Sequence, residues 1–303
     1  MNAYVGLDIG GTSVKVLGLD EKQEICFESS FATNSQQGID VFLKACKDVI
    51  TKHTNANAMK LAGIGIGCTG PIDYRNGMID NPYTLPGLEG HSISKLLSKE
   101  CKVPVLVDND ANTAHVGEVF QQPHAPKDTL MIAFGTGVGV SVRLDGELFR
   151  IPGGIHPEIG HIATSIQAED CCYCGRNNCM EHILSGTGIN KHALVRYGSK
   201  AEDAMETSDR LFAKELEKAL FDSISTLAIL FHPTCVYIGG GMQRFFETYL
   251  LKPVQQRLDA LLPVYGRTSL EPCLAGTRAG SLGAALMAYH ALCVKGDEYA
   301  CND

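Results

Sequence analysis

Four cysteines, Cys171, Cys172, Cys174 and Cys179, fall within nine positions of this chain, and His161 stands upstream of them in the segment EIGH. A disulfide knot, a redox pair or a metal site could explain such a cluster. Disulfide frameworks belong to short secreted chains, whereas this one has 303 residues and scatters its other cysteines through apolar or mixed surroundings, as buried free thiols are. A CxxC redox pair needs no fourth partner. One imidazole and three thiolates make a closed tetrahedral zinc set, so zinc is expected; spacing alone does not choose between Cys171 and Cys172. HPEIGH is not a catalytic HExxH helix, because Pro157 and Gly160 interrupt it.

Two further groups could do chemistry. In VDNDANTA, Asp108 and Asp110 are both candidate general bases, and spacing does not decide between them; Asp110 could also cap a helix beginning at Ala111. Gly10, Gly11 and Thr12 follow the strand-like AYVGLDI, and Gly135, Thr136 and Gly137 follow TLMIAF. Glycine at such a turn lets a ligand reach backbone N–H groups, and successive N–H groups form a concave anion site suited to phosphate. GTGVGV lacks the third glycine of GxGxxG and no GxxxxGK[ST] occurs, which disfavours Rossmann and P-loop sites.

The elements that position these groups occur twice. AYVGLDIGGTSVKVLGLDEKQEI reads as strand, glycine turn, alternating strand, polar turn and strand, and TLMIAFGTGVGVSVRLDGEL repeats that order. An internal duplication is expected, with two glycine turns facing each other across a cleft. IDVFLKACKDVI and HSISKLLSKEC read as helices, KLAGIGIGCTG, VPVLV and CVYIGGGM as strands, and AGSLGAALMAYHAL as a small-residue helix. Phe212, Leu216, Leu220, Ile224 and Leu227 line one helical face, as a core helix requires. Strands alternating with helices in two similar halves indicate an α/β fold.

The formal net charge of −8, without a Lys/Arg cluster, excludes nucleic acid as an expected partner. The N-terminal MNAYVGLDIGG has no signal-peptide pattern and no long apolar run occurs, so a cytoplasmic protein without membrane association is expected.

DIGGT, NDAN followed by GE, FGTGVG, EIGH, CxCGxxxC followed by Glu, IGGGM and AGSLGAA occur in this order, and together they resemble the ROK family of sugar kinases and repressors. The resemblance implies an actin-like, ribonuclease-H-like ATPase fold with two domains around a cleft. It sets an N-terminal domain over 1–122, a C-terminal domain over 123–279, and a last helix, within about 280–303, packing back on the first. Only seven residues precede Asp8, which favours the kinase branch over repressors carrying a helix-turn-helix.

By that resemblance Gly10, Gly11, Thr12, Gly135, Thr136 and Gly137 hold the phosphates of ATP, Asp8 lies near Mg²⁺, and Gly239, Gly240 and Gly241 form an adenosine-side loop. Asp110 is the general base toward a sugar hydroxyl, with Asn109 as a sugar ligand. Glu158, Glu181 and His161 contact the sugar, and His161, Cys172, Cys174 and Cys179 hold a structural Zn²⁺. Thr84 stands where glucose-type members carry Asn, a position at which a shorter hydroxyl side chain does not make the same paired contact; Asn81 is the candidate substitute. HPE in place of small residues resembles some bacterial fructokinases of the family. The implied activity is ATP-dependent phosphorylation of a hexose, at its 6-hydroxyl, by a homodimer. A non-catalytic sugar sensor is the competing reading, opposed by the intact Asp8, Asp110 and glycine turns; polyphosphate as donor lacks a basic cluster to hold it.

Overall fold

A computed structural model describes residues 1–152, 154–207, 210–261 and 267–293. The chain divides into two compact units, one of Met1–Pro123, Arg150–Pro157 and Thr277–Asp303, the other of His124–Phe149 and Glu158–Gly276. Pro123 and residues 277–279 fall in the first unit, as does the segment Arg150–Pro157, where Tyr74 N donates to Gly154 O at 3.0 Å and Tyr74 Oη to Ile151 O at 2.9 Å. Residues 294–303 of the expected returning segment lie outside the described residues.

In the first unit β1 (Asn2–Ile9), β2 (Ser13–Leu19) and β3 (Ile25–Ala32) form an antiparallel meander, followed by α1 (Ile39–Ala56) and β4 (Lys60–Cys68). A small ribbon of β5 (Ile72–Asp73) and β6 (Met78–Ile79) precedes α2 (Ile93–Cys101), β7 (Val105–Asn109) and α3 (Asp110–Gln121). The sheet order is β3-β2-β1-β4-β7, with β4 parallel to both β1 and β7. Val5, Leu7, Ile9, Ile64 and Ile66 are fully buried, the near-continuous apolar run that a parallel strand covered on both faces requires. Phe42, Leu43, Cys46 and Ile50 of α1 join these strands in one core.

The second unit repeats the design. β8 (Thr129–Phe134), β9 (Val138–Leu144) and β10 (Glu147–Leu148) are antiparallel, and their turn places Asp145 at φ 47° and Gly146 at φ 87°, the positive values that a tight Asp-Gly hairpin demands. After α4 (Met180–Leu184), α5 (Gly186–Tyr197), α6 (Ala201–Thr207) and α7 (Leu211–Phe231), the strand β11 (Cys235–Gly239) pairs parallel with β8. Then α8 (Gln243–Tyr249) and α9 (Leu251–Leu261) lead to β12 (Ser269–Pro272), giving the order β10-β9-β8-β11-β12. Phe212, Leu216, Leu220, Ile224 and Leu227 of α7 are at most 1% exposed, so the face read from the sequence is the buried one. Fully burying such a side chain stabilises by about 1.5–3 kcal/mol.

The last helix, α10 (Ala279–Cys293), belongs to the first unit. Its small residues bring backbone against backbone: a Cβ added at Gly65 of β4 would lie 1.8 Å from Ala284 O, one at Gly6 of β1 1.9 Å from Ser281 O, and one at Gly283 1.7 Å from Thr113 O of α3. No side chain fits in those gaps, which is why this helix is rich in Gly and Ala.

Candidate functional site

In the first unit the candidate residues gather at the carboxyl ends of the parallel strands. Asp8 and Ile9 of β1 pair with Gly67 and Cys68 of β4, and Cys68 pairs with Asn109 of β7. Burial pushes the Cys68 thiol up, and Asp110 and then Asp8 add to the rise, so both carboxylates act on the end of β4. Burial also raises the Asp8 pKa, an effect that Lys15 Nζ, 3.6 Å from Asp8 Oδ2, opposes.

The two aspartates of β7 and α3 have different surroundings. Asp108 is 1% exposed, and its Oδ1 accepts from Asn109 N at 2.7 Å and from Asn112 Nδ2 at 2.8 Å. Its Oδ2 accepts from Arg150 Nε at 3.0 Å and Nη2 at 2.6 Å. Asp110 is half-buried and opens α3, with Oδ1 accepting from Ala111 N at 2.8 Å. The helix begins one residue earlier than expected and its N-cap is Asn109, whose Oδ1 accepts from Ala111 N at 2.9 Å. Adjacent Asn and Asp are both good caps, and the residue in the extended conformation, Asn109 at ψ 147°, takes the role. Capping occupies Asn109 Oδ1 and leaves its Nδ2 as the end that donates.

The first glycine turn is held by its own sheet. Gly10 N donates to Ser13 O at 3.1 Å, Thr33 Oγ1 to Gly10 O at 2.6 Å, and Thr33 N to Thr12 O at 3.0 Å. Gly11 and Thr12 are exposed and open on a cavity of about 320 Å³ that Asn34, Ser35, Gln36 and Gln37 also line. Thr84 lies beside the turn, its Cβ 3.4 Å from where a Cβ on Gly11 would stand. Asn81 is engaged with backbone on both sides of its own loop. It is 2% exposed, its Nδ2 donates to Gly70 O, and its Oδ1 accepts from Thr84 N at 3.0 Å and Tyr83 N at 3.2 Å. Its amide thus shapes the loop that presents Thr84.

In the second unit Gly135 N donates to Gly137 O at 2.9 Å and Thr136 is exposed at the tip of the turn. The IGGGM turn lies alongside: Gly240 takes φ 87° with Phe134 O 2.4 Å from where its Cβ would be, and Met242 N donates to Phe134 O at 2.9 Å. Gly239 ends β11, and Gly241 faces open space.

His161, Cys172, Cys174 and Cys179 converge, with their candidate ligand atoms all within 4.8 Å of one another, while the exposed Cys171 lies outside the group. That compactness suits the short metal–sulfur and metal–nitrogen bonds of a tetrahedral zinc site. His161 Nδ1 is the nitrogen turned toward the sulfurs, 3.8 Å from Cys172 Sγ. Its Nε2 points the other way, 2.8 Å from Tyr173 Oη and 4.0 Å from Glu181 Oε1.

Glu181 braces the glycine turn: its Oε2 accepts from Val138 N at 2.9 Å and would stand 2.7 Å from a Cβ on Gly137. Gly186 N donates to Gly135 O at 2.7 Å from the next helix. Glu158 joins this neighbourhood. Desolvation raises its pKa, His161 opposes the rise and Glu181 adds to it.

Sequence reasoning missed Tyr173 and Arg150. Tyr173 had a local signal in its place between Cys172 and Cys174; desolvation and then Glu181 and Glu158 raise its hydroxyl pKa, so the phenol stands among the candidate sugar-contacting groups. Arg150 had none, since its partner Asp108 is 42 positions away.

A glucokinase of Halalkalibacterium halodurans is 30% identical over 283 residues, covering 85% of each chain. An N-acetylmannosamine kinase of Salmonella heidelberg is 28% identical over 299 residues, covering 94% of this chain and 97% of the relative. The crystal structure of a ROK family glucokinase from Streptomyces griseus, in complex with glucose and AMPPNP, superposes with a TM-score of 0.75 at 23% identity, covering 95% of this chain and 99% of that one. The repeated five-stranded sheets and that superposition bear out the actin-like fold, and the ROK family description matches residues 4–291. The chain belongs to the ROK family.

Proposed function

We propose that this ROK protein is an ATP-dependent sugar kinase in which Asp110 takes the proton of a hexose hydroxyl, the 6-hydroxyl, as that oxygen attacks the γ-phosphorus and ADP leaves. Phosphoryl transfer asks the protein mainly for positioning and charge stabilisation. Gly10 N and Gly135 N close the two turns, and Gly11 and Thr12 of the first unit and Thr136 and Gly137 of the second, exposed or half-exposed, offer backbone and hydroxyl groups suited to phosphate oxygens. Gly239, Gly240 and Gly241 belong to the nucleotide side by family resemblance. Mg²⁺ bound with ATP would spread the phosphate charge, and Asp8, a carboxylate at a strand end, is the hard oxygen ligand that fits it.

The observation that carries the choice of base is the difference between the two aspartates. Both oxygens of Asp108 are engaged, and one is ion-paired with Arg150; Asp110 stands half-buried at the opening of α3. A base must reach the proton it removes, and Asp108 has no oxygen left to offer.

Asn109 Nδ2, Thr84, Glu158, Glu181 and His161 are the proposed hexose contacts. Zinc on His161, Cys172, Cys174 and Cys179 would fix the loop that carries Glu158 and Glu181. With Nδ1 facing the sulfurs, His161 keeps Nε2 for Tyr173, Glu181 and the sugar, the outward hydrogen bonding that orients a metal-bound imidazole.

Coupled ADP release with Mg-ATP across glucose, fructose, mannose, allose, N-acetylmannosamine and N-acetylglucosamine tests the reading. Turnover is expected on at least one sugar, falling by about 10²–10⁴-fold in Asp110→Asn while sugar binding persists. Most of the rate surviving in that variant would show the base to be another group.

A further inference from the structure

Asp108 and Arg150 form a built device for which the proposed reaction has no direct use. A buried carboxylate tends to take up a proton or draw in water unless it is paired and hydrogen-bonded. Arg150 is the pairing cation, with Nε at 3.0 Å and Nη2 at 2.6 Å on the same oxygen. The other oxygen of Asp108 is thereby kept as an acceptor for Asn109 N and Asn112 Nδ2, one at the end of β7 and one in the first turn of α3. Asp110 rides between those two anchor points.

The guanidinium is itself held. Its central carbon lies 5.9 Å from the centroid of the Tyr74 ring, and Tyr74 bonds to Ile151 O through its hydroxyl and to Gly154 O through its backbone. Gly154, at φ 89°, lets the Asp73 carboxylate lie where a side chain would otherwise stand, with Oδ1 only 2.1 Å from the position of a Cβ. Arg150 is therefore fixed on both sides, by the β5–β6 ribbon and by Asp108.

We infer that Arg150 is a positioning residue for the base: its two bonds to Oδ2 hold the Asp108 carboxylate in place, and Asp108 locks the β7–α3 junction that aims the Asp110 carboxyl. The effect of Arg150 passes through Asp108. The inference rests on the reading of Asp110 as base. Displacing a catalytic group by 1 Å lowers rates on the order of 100-fold.

The test is steady-state kinetics, per folded enzyme, of Arg150→Gln, Arg150→Lys, Asp108→Asn and the double variant D108N/R150Q, with Asp110→Asn as control and folding followed by thermal melts. Arg150→Gln is expected to lower kcat on the order of 100-fold while KM for sugar and for ATP stay within about threefold. Arg150→Lys, which keeps the charge without the fork, should recover part of that loss. The double variant should lose no more than the worse single variant, because both remove one device.

Wild-type kcat in Arg150→Gln, a loss confined to KM for either substrate, or losses that multiply in the double variant would each overturn the inference. If Arg150→Gln does not fold, Arg150→Lys and the double variant, which leaves no unpaired buried charge, decide by the same criteria. Activity persisting in Asp110→Asn would instead remove the base reading. Loss in that control beside unaffected Arg150 variants would remove this inference alone.

Discussion

The two glycine turns close equivalent hairpins and are supported in different ways. The turn at Gly10–Thr12 is held from within its own sheet, by Thr33 at the end of the meander. The turn at Gly135–Gly137 is held from outside its sheet, by the Glu181 carboxylate on Val138 N and by Gly186 N on Gly135 O. Glu181 lies two residues beyond Cys179, so this buttress grows out of the Cys/His cluster. The two sheets share one strand order, while the second turn is supported by residues from the loop and helices that follow its hairpin. With zinc on the cluster as proposed, the second turn should depend on the metal and the first should not.

Cys179→Ser should break the comparison most strongly. It removes a buried thiol of the cluster, the proposed metal ligand, and a fall in metal content, read by elemental analysis, should accompany amide exchange at Val138 and Gly186 that is faster by roughly 100-fold, with Gly10 and Thr33 unchanged. Equal acceleration in both turns would show that the supports are not independent. Glu181→Ala should leave metal content unchanged while Val138 N loses its carboxylate acceptor, so KM for ATP should rise about tenfold, beside the rise in KM for sugar that loss of a proposed hexose contact brings. An unchanged KM for ATP would mean that the turn holds its shape without the carboxylate. Thr33→Val sharpens the other side, deleting one hydroxyl bond to Gly10 O at a cost of about 1 kcal/mol, visible as a modest fall in Tm with Val138 exchange unaltered.

Much of the fold was legible because its signals are local. The alternating strands beside each glycine turn, the Asp-Gly hairpin at 145–146 and the apolar face of α7 are set by residues within a few positions of one another. The ROK resemblance was legible from ordered motifs, and the convergence of the Cys/His cluster from the types and spacing of its residues. The structure adds that Cys172, and not Cys171, faces His161. What stayed hidden depends on partners distant in sequence or on competition between neighbours. Asn81 carried no mark that its amide is spent on loop backbone, Glu181 none that it reaches Val138, and Asp108 none that Arg150 pairs with it. The helix start at Asp110 was misplaced by one residue because Asn109 and Asp110 are both capping types, and backbone conformation alone selects between them.

The packing of α10 bears on the order of events at the ribosome. Gly6 of β1 and Gly65 of β4 form surfaces completed only by Ser281 and Ala284, which emerge after every strand of the second unit. The sheet of the second unit, by contrast, draws all its strands from residues 129 to 272, a contiguous and already translated stretch. Synthesis thus lets the second unit mature while the first holds an unfinished apolar face in waiting, a state open to chaperones and prone to association. A substitution in α10 would be felt as lower yield of folded protein before it was felt as lower activity.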